Sequence, residues 1–309
     1  MSEHDLFEMV TGDAIFVDRM LTENPYDGDG GKWVDRQDDD GNMLIHLAQS
    51  DDMVKVLVKH GADVEAQNYM GMTPLMTASN ASVAKVLMEH GADVNARDED
   101  NDTPLHMAVN GDVALLLIEN GADVNAKDER DNTPLHMVCD HDVAQVLIEA
   151  GADVNAKDHW GQTPIFLAHT DEAAKVLIEA GADVNAKNRW GQTPLHSVYS
   201  PDVAMVLIEA GADVNAKDQY GRTPLHYASN DDVVDLLLNN GADPMAESHC
   251  GYPHEFKQHP SKKAAYEKAV IQQALQHSDK ARDAAQEHQR VTGQVNAEPA
   301  PVMKRSRRM

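Results

Sequence analysis

The side chains best able to do chemistry are a recurring histidine, two cysteines, and a row of aromatic and charged residues. His106, His136, His196 and His226 each follow a Thr-Pro-Leu triplet, at 30-residue spacing or a multiple of it. Met76 and Phe166 fill the same slot in two other copies, so the slot does not require a titrating group. The histidine is therefore read as structural. His136-x-x-Cys139-x-His141 and the loose set His249, Cys250, His254 and His259 are the metal candidates. Structural zinc sites use paired ligand spacings, which neither set has, and no metal is assigned. Asp27-Gly28-Asp29 opens like a calcium loop, but Gly31 and Lys32 stand at its fifth and sixth positions, where Asp or Asn and then Gly are needed. It is read as a solvated loop. There is no glycine-rich phosphate loop after a strand and no serine nucleophile elbow. No cofactor and no enzymatic activity are expected.

What positions these residues is a period of 30. Gly-Ala-Asp recurs at Gly61, Gly91, Gly121, Gly151, Gly181, Gly211 and Gly241, and Thr-Pro at Thr73, Thr103, Thr133, Thr163, Thr193 and Thr223. Self-similarity of this kind marks a stack of small units, each touching its neighbours. In residues 101–130, Thr103-Pro104 predicts a short first helix, with Pro104 in the first turn where no N–H is missed. Asn110 is the predicted N-cap of a second helix, and Asp112 favours its positive end. Val113, Leu116 and Leu117 form the apolar stripe, and Gly121 ends the helix in the left-handed region. The cap slot reads Ser50, Asn80, Asn110, Asp140, Thr170, Ser200 and Asn230, all good cap residues.

TPLHMA at Thr103–Ala108 and GADVNAKD at Gly121–Asp128 closely resemble the ankyrin repeat, and the likeness recurs in phase over residues 41–250. The resemblance implies an all-α, ankyrin-like helical solenoid of seven repeats, made of helix–turn–helix units joined by hairpin-like loops. It also implies that the recurring histidine bonds within the loop scaffold, and that the loop tips line an inner binding face. The usual ankyrin period is about 33 residues. Aligning both motifs places the three missing residues between the helices, after positions such as Val109 and Cys139, so the first helix is expected to be shortened.

Residues 1–40 are expected to be a helical N-terminal cap and an acidic loop, with Leu6, Val10, Phe16 and Met20 covering the first repeat. Residues 251–292 are expected to be a helical C-terminal cap, with Ser261 at its start and Ala265, Ala269, Ile271 and Leu275 packing on the last repeat. Residues 293–309 read as a disordered basic tail. Its Lys304-Arg305-Ser306-Arg307-Arg308 run solubilises the chain, or directs nuclear import if the cell is eukaryotic.

The formal charge is −26, with −9 in residues 1–40, +5 in residues 251–309 and −22 in the repeats. Such a surface repels nucleic acid and membranes and favours basic partners. An acidic start and two isolated cysteines fit the cytoplasm, and a monomer is expected.

Copies of the repeat differ most in the loop before Thr-Pro. One slot reads Met70, Asp100, Arg130, Trp160, Trp190 and Tyr220; the slot before it begins with Tyr69 and continues through Glu129, His159 and Arg189. Another includes Asp102, Gln162, Gln192 and Arg222. These are the candidate partner-binding residues, since Trp, Tyr and Arg most often anchor interfaces. A slot on the first helix, from Leu47 and Thr77 to Tyr227, either extends this face or belongs to the core. The expected function is non-enzymatic protein binding, with Trp160, Trp190 and Tyr220 as anchors. The alternative is an acidic decoy that occupies the basic cleft of a nucleic-acid enzyme.

Overall fold

The computed structural model describes residues 12–27, 30–138, 140–249, 251, 260–272 and 275. Its recurring element is a nine-residue helix: α2 (Asp51–Lys59), α3 (Ala81–Glu89), α4 (Gly111–Glu119), α5 (His141–Glu149), α6 (Asp171–Glu179), α7 (Pro201–Glu209) and α8 (Asp231–Asn239). Every one starts at the cap residue expected for it. Ser50, Asn80, Asn110, Asp140, Thr170, Ser200 and Asn230 each accept a bond from a first-turn backbone N–H. Every one stops at the glycine of Gly-Ala-Asp, whose φ lies between +88° and +97° in all seven copies. That conformation is costly for a residue with a Cβ.

The Thr-Pro segment shrinks further than a shortened helix. Leu44–Leu47, Pro134–Met137, Pro164–Leu167 and Pro194–His196 are single 3₁₀ turns, and Pro224–Tyr227 is a single α turn. With three residues fewer between the helices, four residues cannot offset the entropy of nucleating a longer helix. The chain then runs extended through residues such as Ala48 and Ala168 into the next cap.

The nine-residue helices pack each on the one before and the one after. Leu57, Leu87, Leu117, Leu147, Leu207 and Leu237 are fully buried between them, and small residues such as Ala84, Ala114, Ala144 and Ala204 let the helices approach. A second device joins the units. Asn95 Nδ2 donates to Gly121 O at 3.0 Å while its Oδ1 accepts from Asp123 N at 2.9 Å. Asn125, Asn155, Asn185 and Asn215 make the same two-point clamp on the next Gly-Ala-Asp. Met245 takes this slot in the last copy.

At the N-terminal end, Asp13 caps α1 (Ala14–Glu23), which packs on α2. Its covered residues are Val17 and Leu21, with Met20 partly so, whereas Phe16 is 47% exposed. The face expected from Phe16 is therefore rotated by one residue; Leu6 and Val10 lie outside the described residues. Asp18 ties α1 to α2 through Lys59 and His60, both at 2.8 Å. Asp27, read from the sequence as part of a solvated loop, is instead engaged by Gly31 N and Arg36 with its side chain 3% exposed.

At the other end residues 260–272 are helical, which places Ser261 inside the helix instead of at its cap. Ile271 and Leu275 are exposed, against expectation. The buried residue is Lys262, 0% exposed, whose Nζ donates to Ala228 O at 2.6 Å. Its aliphatic stem packs while the ammonium meets a carbonyl at the end of the Pro224–Tyr227 turn.

Candidate protein-binding face

Each loop tip is held by an Asx turn. Asp98 Oδ1 accepts from Asp100 N and Asp102 N at 3.0 and 2.8 Å, and Asn68, Asp128, Asp158, Asn188 and Asp218 repeat this pair of bonds. The residue three beyond the Asx takes positive φ: Gly71, Gly161, Gly191 and Gly221 near +76°, but Asn101 and Asp131 at +63° and +61°. Asn and Asp are the non-glycine residues that tolerate this region best.

Successive tips are bonded in a line. Glu99 N donates to Met70 O, Glu129 N to Asp100 O, His159 N to Arg130 O, Arg189 N to Trp160 O, Gln219 N to Trp190 O and His249 N to Tyr220 O, all between 2.7 and 3.0 Å. The backbone of the variable row is thus fixed from copy to copy, leaving its side chains free to differ. Tyr69, Met70, Asp100, Glu129, Arg130, His159, Arg189, Trp190 and Tyr220 are exposed. Trp160 is half-buried, edge-on to His159 with ring centroids 5.9 Å apart. Among the described residues, Trp160, Trp190 and Tyr220 make no ring contact with one another.

The third predicted slot lies lower and is more enclosed. Gln162, Gln192 and Arg222 are half-buried, and Asp102 is buried. Arg222 lies over two rings, its guanidinium carbon 4.8 Å from the Tyr220 ring centre and 4.6 Å from that of Tyr227. Arg222 Nε and the Tyr227 hydroxyl both donate to Asp218 Oδ2 at 2.8 Å, and Gln192 Nε2 donates to the Tyr227 hydroxyl at 2.8 Å. Burial pushes the Asp218 carboxyl up, but the hydrogen bonds from Arg222 and Tyr227 outweigh it and hold the carboxyl below the usual range. Tyr227 therefore sits beside the loop tips, whereas Leu47 in the same slot packs against the core. Its clue was a single polar-tipped ring among Leu, Thr, Met and Ser.

Asp102 is the opposite case. Burial, then the carboxylates of Asp98, Asp128 and Asp100, raise its pKa to about 6 against a small opposing effect of Arg130. Its Oδ1 is buried with no partner among the described residues.

The recurring histidines are structural in detail. His106 Nδ1 accepts from Thr103 N at 3.1 Å and lies 2.9 Å from the Thr103 hydroxyl, while Nε2 bonds Asn132 O of the next copy at 3.2 Å. His136, His196 and His226 repeat this arrangement. His46 makes the same cross-copy bond to Met72 O at 3.0 Å, although Met43 replaces the Thr-Pro signal that marks the others. Burial depresses the pKa of all five, and Nδ1 must stay unprotonated to accept. Where Met76 and Phe166 replace histidine, the hydroxyls of Thr73 and Thr163 are buried without a partner among the described residues. Thr163→Val should then raise stability by about 1 kcal/mol, because it removes an unpaired buried hydroxyl, and Thr133→Val should lower it by about as much. Urea midpoints moving the same way in both variants would refute this account of the slot.

Cys139, Cys250, His254 and His259 lie outside the described residues. Among the described residues no three His, Cys, Asp or Glu side chains are placed to hold a metal. No described helix is long and apolar enough to cross a membrane.

Short helical units, glycine-ended and bonded tip to tip, define an ankyrin-type helical repeat stack. The family model for ankyrin repeats (3 copies) matches residues 12–98, 79–128, 105–188 and 166–248, and the chain belongs to the ankyrin-repeat family. Ankyrin repeats are generally non-enzymatic protein–protein interaction modules. No curated protein matches the chain.

Proposed function

We propose that this protein is a non-enzymatic binding module that holds a protein partner on the inner face formed by its loop tips. Trp160, Trp190 and Tyr220 are its apolar anchors, with Asp100, Glu129 and Arg130 as a charged rim. The observation that carries this reading is the bonded row of tips. Its backbone is invariant from copy to copy, yet one slot holds Met, Asp, Arg, Trp, Trp and Tyr in turn. Local structure does not require a ring where Asp100 and Arg130 serve equally. Trp190 and Tyr220 nevertheless leave 39% and 44% of their surface open. The acidic repeats favour a partner with a basic surface. In this reading the protein works as a monomer in the cytoplasm.

The second reading, an acidic decoy for a basic cleft, is favoured by the −22 charge of the repeats. The two differ in what binding depends on. Replacing Trp160 and Trp190 by Ala together should leave the melting temperature within a degree or so. It should weaken binding of the purified, affinity-recovered partner by at least about 2 kcal/mol. Calorimetric melting beside isothermal titration checks both. Unchanged binding in the double variant, with steep weakening by salt, would favour the decoy.

A further inference from the structure

The enclosed slot beside the tips carries a more specific inference. In three other copies the residue four after the turn Asx satisfies that side chain, whereas Asp158 Oδ2, opposite Gln162, is buried without a partner among the described residues. Asn42 Nδ2 donates to Asp38 Oδ2 at 3.1 Å, Asn132 Nδ2 to Asp128 Oδ2 at 2.7 Å, and Arg222 Nε to Asp218 Oδ2 at 2.8 Å. In the third copy both positions are acids, Asp98 and Asp102. No side chain donates to Asp98 Oδ2 among the described residues, and Asp102, 6% exposed, has a buried Oδ1 without a partner. The nearby cations are committed elsewhere or stand off: Arg97 Nη1 donates to the carbonyls of Asn101 and Lys127, both at 2.8 Å. Lys127 pairs with Asp131, and Arg130 exerts only the weakest of the effects on the Asp102 carboxyl.

We propose that Asp98 and Asp102 form a receptor for the guanidinium of one arginine supplied by the partner. This rests on the protein-binding reading above and names the chemistry of one contact in it. The molecule itself shows what suits the slot. Arg222 fills it in the seventh copy, where its guanidinium reaches an Asp218 side chain that is fully buried. A planar fork of N–H donors can bridge two carboxylates, which a compact ammonium does less well. An incoming cation would also offset the burial and the repulsion from Asp98 that make an ionised Asp102 costly.

The test uses the full chain with aspartate carboxyl carbons labelled for NMR, titrated with the blocked peptide acetyl-Gly-Arg-Gly-amide. The carboxyl signals of Asp98 and Asp102 should shift and saturate. The citrulline peptide, isosteric but uncharged, should leave them unmoved, and the lysine peptide should bind more weakly. Asp102→Asn should weaken the arginine response about tenfold while the protein stays folded, as melting will show. Equal shifts with citrulline, an equal response to lysine, or an undiminished response in Asp102→Asn each overturn the proposal. Trp160→Ala with Trp190→Ala should retain the arginine response, since neither ring belongs to the receptor. A wild-type protein blind to the arginine peptide, whose partner is still lost with the tryptophans, overturns the receptor and leaves the binding face standing.

Discussion

Leu117→Ala should lower stability by about 2–5 kcal/mol, the range for a buried leucine cut back to a methyl. Leu117 is 0% exposed in the last turn of α4, which packs on both α3 and α5. The cavity therefore opens at two interfaces of a stack in which each unit is held by its neighbours. Stability in such an array is approximately a sum of unit and interface contributions, so a loss in the middle weakens the coupling of both halves. Leu115→Ala is the control. It lies on the same helix, two residues away, but is 47% exposed, and its loss should stay within about 0.5 kcal/mol. Urea unfolding with fitted slopes measures both. Similar losses at the two positions would mean that the buried face of the helix has been misassigned.

The second large effect is a gain. Asp102→Asn should stabilise the protein by about 3 kcal/mol at pH 7, since a shift of one pKa unit corresponds to about 1.4 kcal/mol and the carboxyl is raised by roughly two. The Asp102 carboxyl is raised from 3.8 to about 6, so the folded state binds a proton more tightly than the unfolded state. Above pH 6 the folded protein carries the full cost of an ionised buried carboxylate facing Asp98, Asp100 and Asp128. Between pH 6 and about 4 that cost disappears as the folded carboxyl takes up its proton. The advantage of the variant should therefore be greatest at neutral pH and gone near pH 4. An amide there can also donate to Asp98, as Asn132 does to Asp128 at 2.7 Å.

The histidines set the background on which this is read. His46, His106, His136, His196 and His226 have depressed pKa values. The unfolded chain therefore takes up protons first, and both proteins should lose stability as pH falls below about 6.5. The difference between variant and wild type isolates Asp102. Denaturant melts at pH 4, 5.5 and 7 would show it, and a constant difference across them would contradict the assignment.

The repeat unit was legible in the sequence because its controls are local. A cap such as Asn110 bonds an N–H three residues on, a stripe such as Val113 and Leu117 spans one turn, and a glycine such as Gly121 answers to its own φ. A strict period of 30 then repeats those controls in phase, which is enough to imply the stack and its family. The variable tip slots were legible for the same reason, as departures from a pattern. Contacts between copies were not. The Asn95 clamp on Gly121 and Asp123 and the His106 bond to Asn132 O join residues 26 or 28 apart, and neither partner carries a local mark of the other. Tertiary packing alone decided that α1 turns Val17 inward and Phe16 outward, and that Lys262 is buried while Ile271 is exposed. It also decided that slots equal in sequence are unequal in environment. Arg222 completes Asp218 beside two rings, while Asp102 faces Asp98 with no hydrogen-bond partner for its Oδ1 among the described residues, because burial and charge depend on everything within a few ångströms and not on position along the chain.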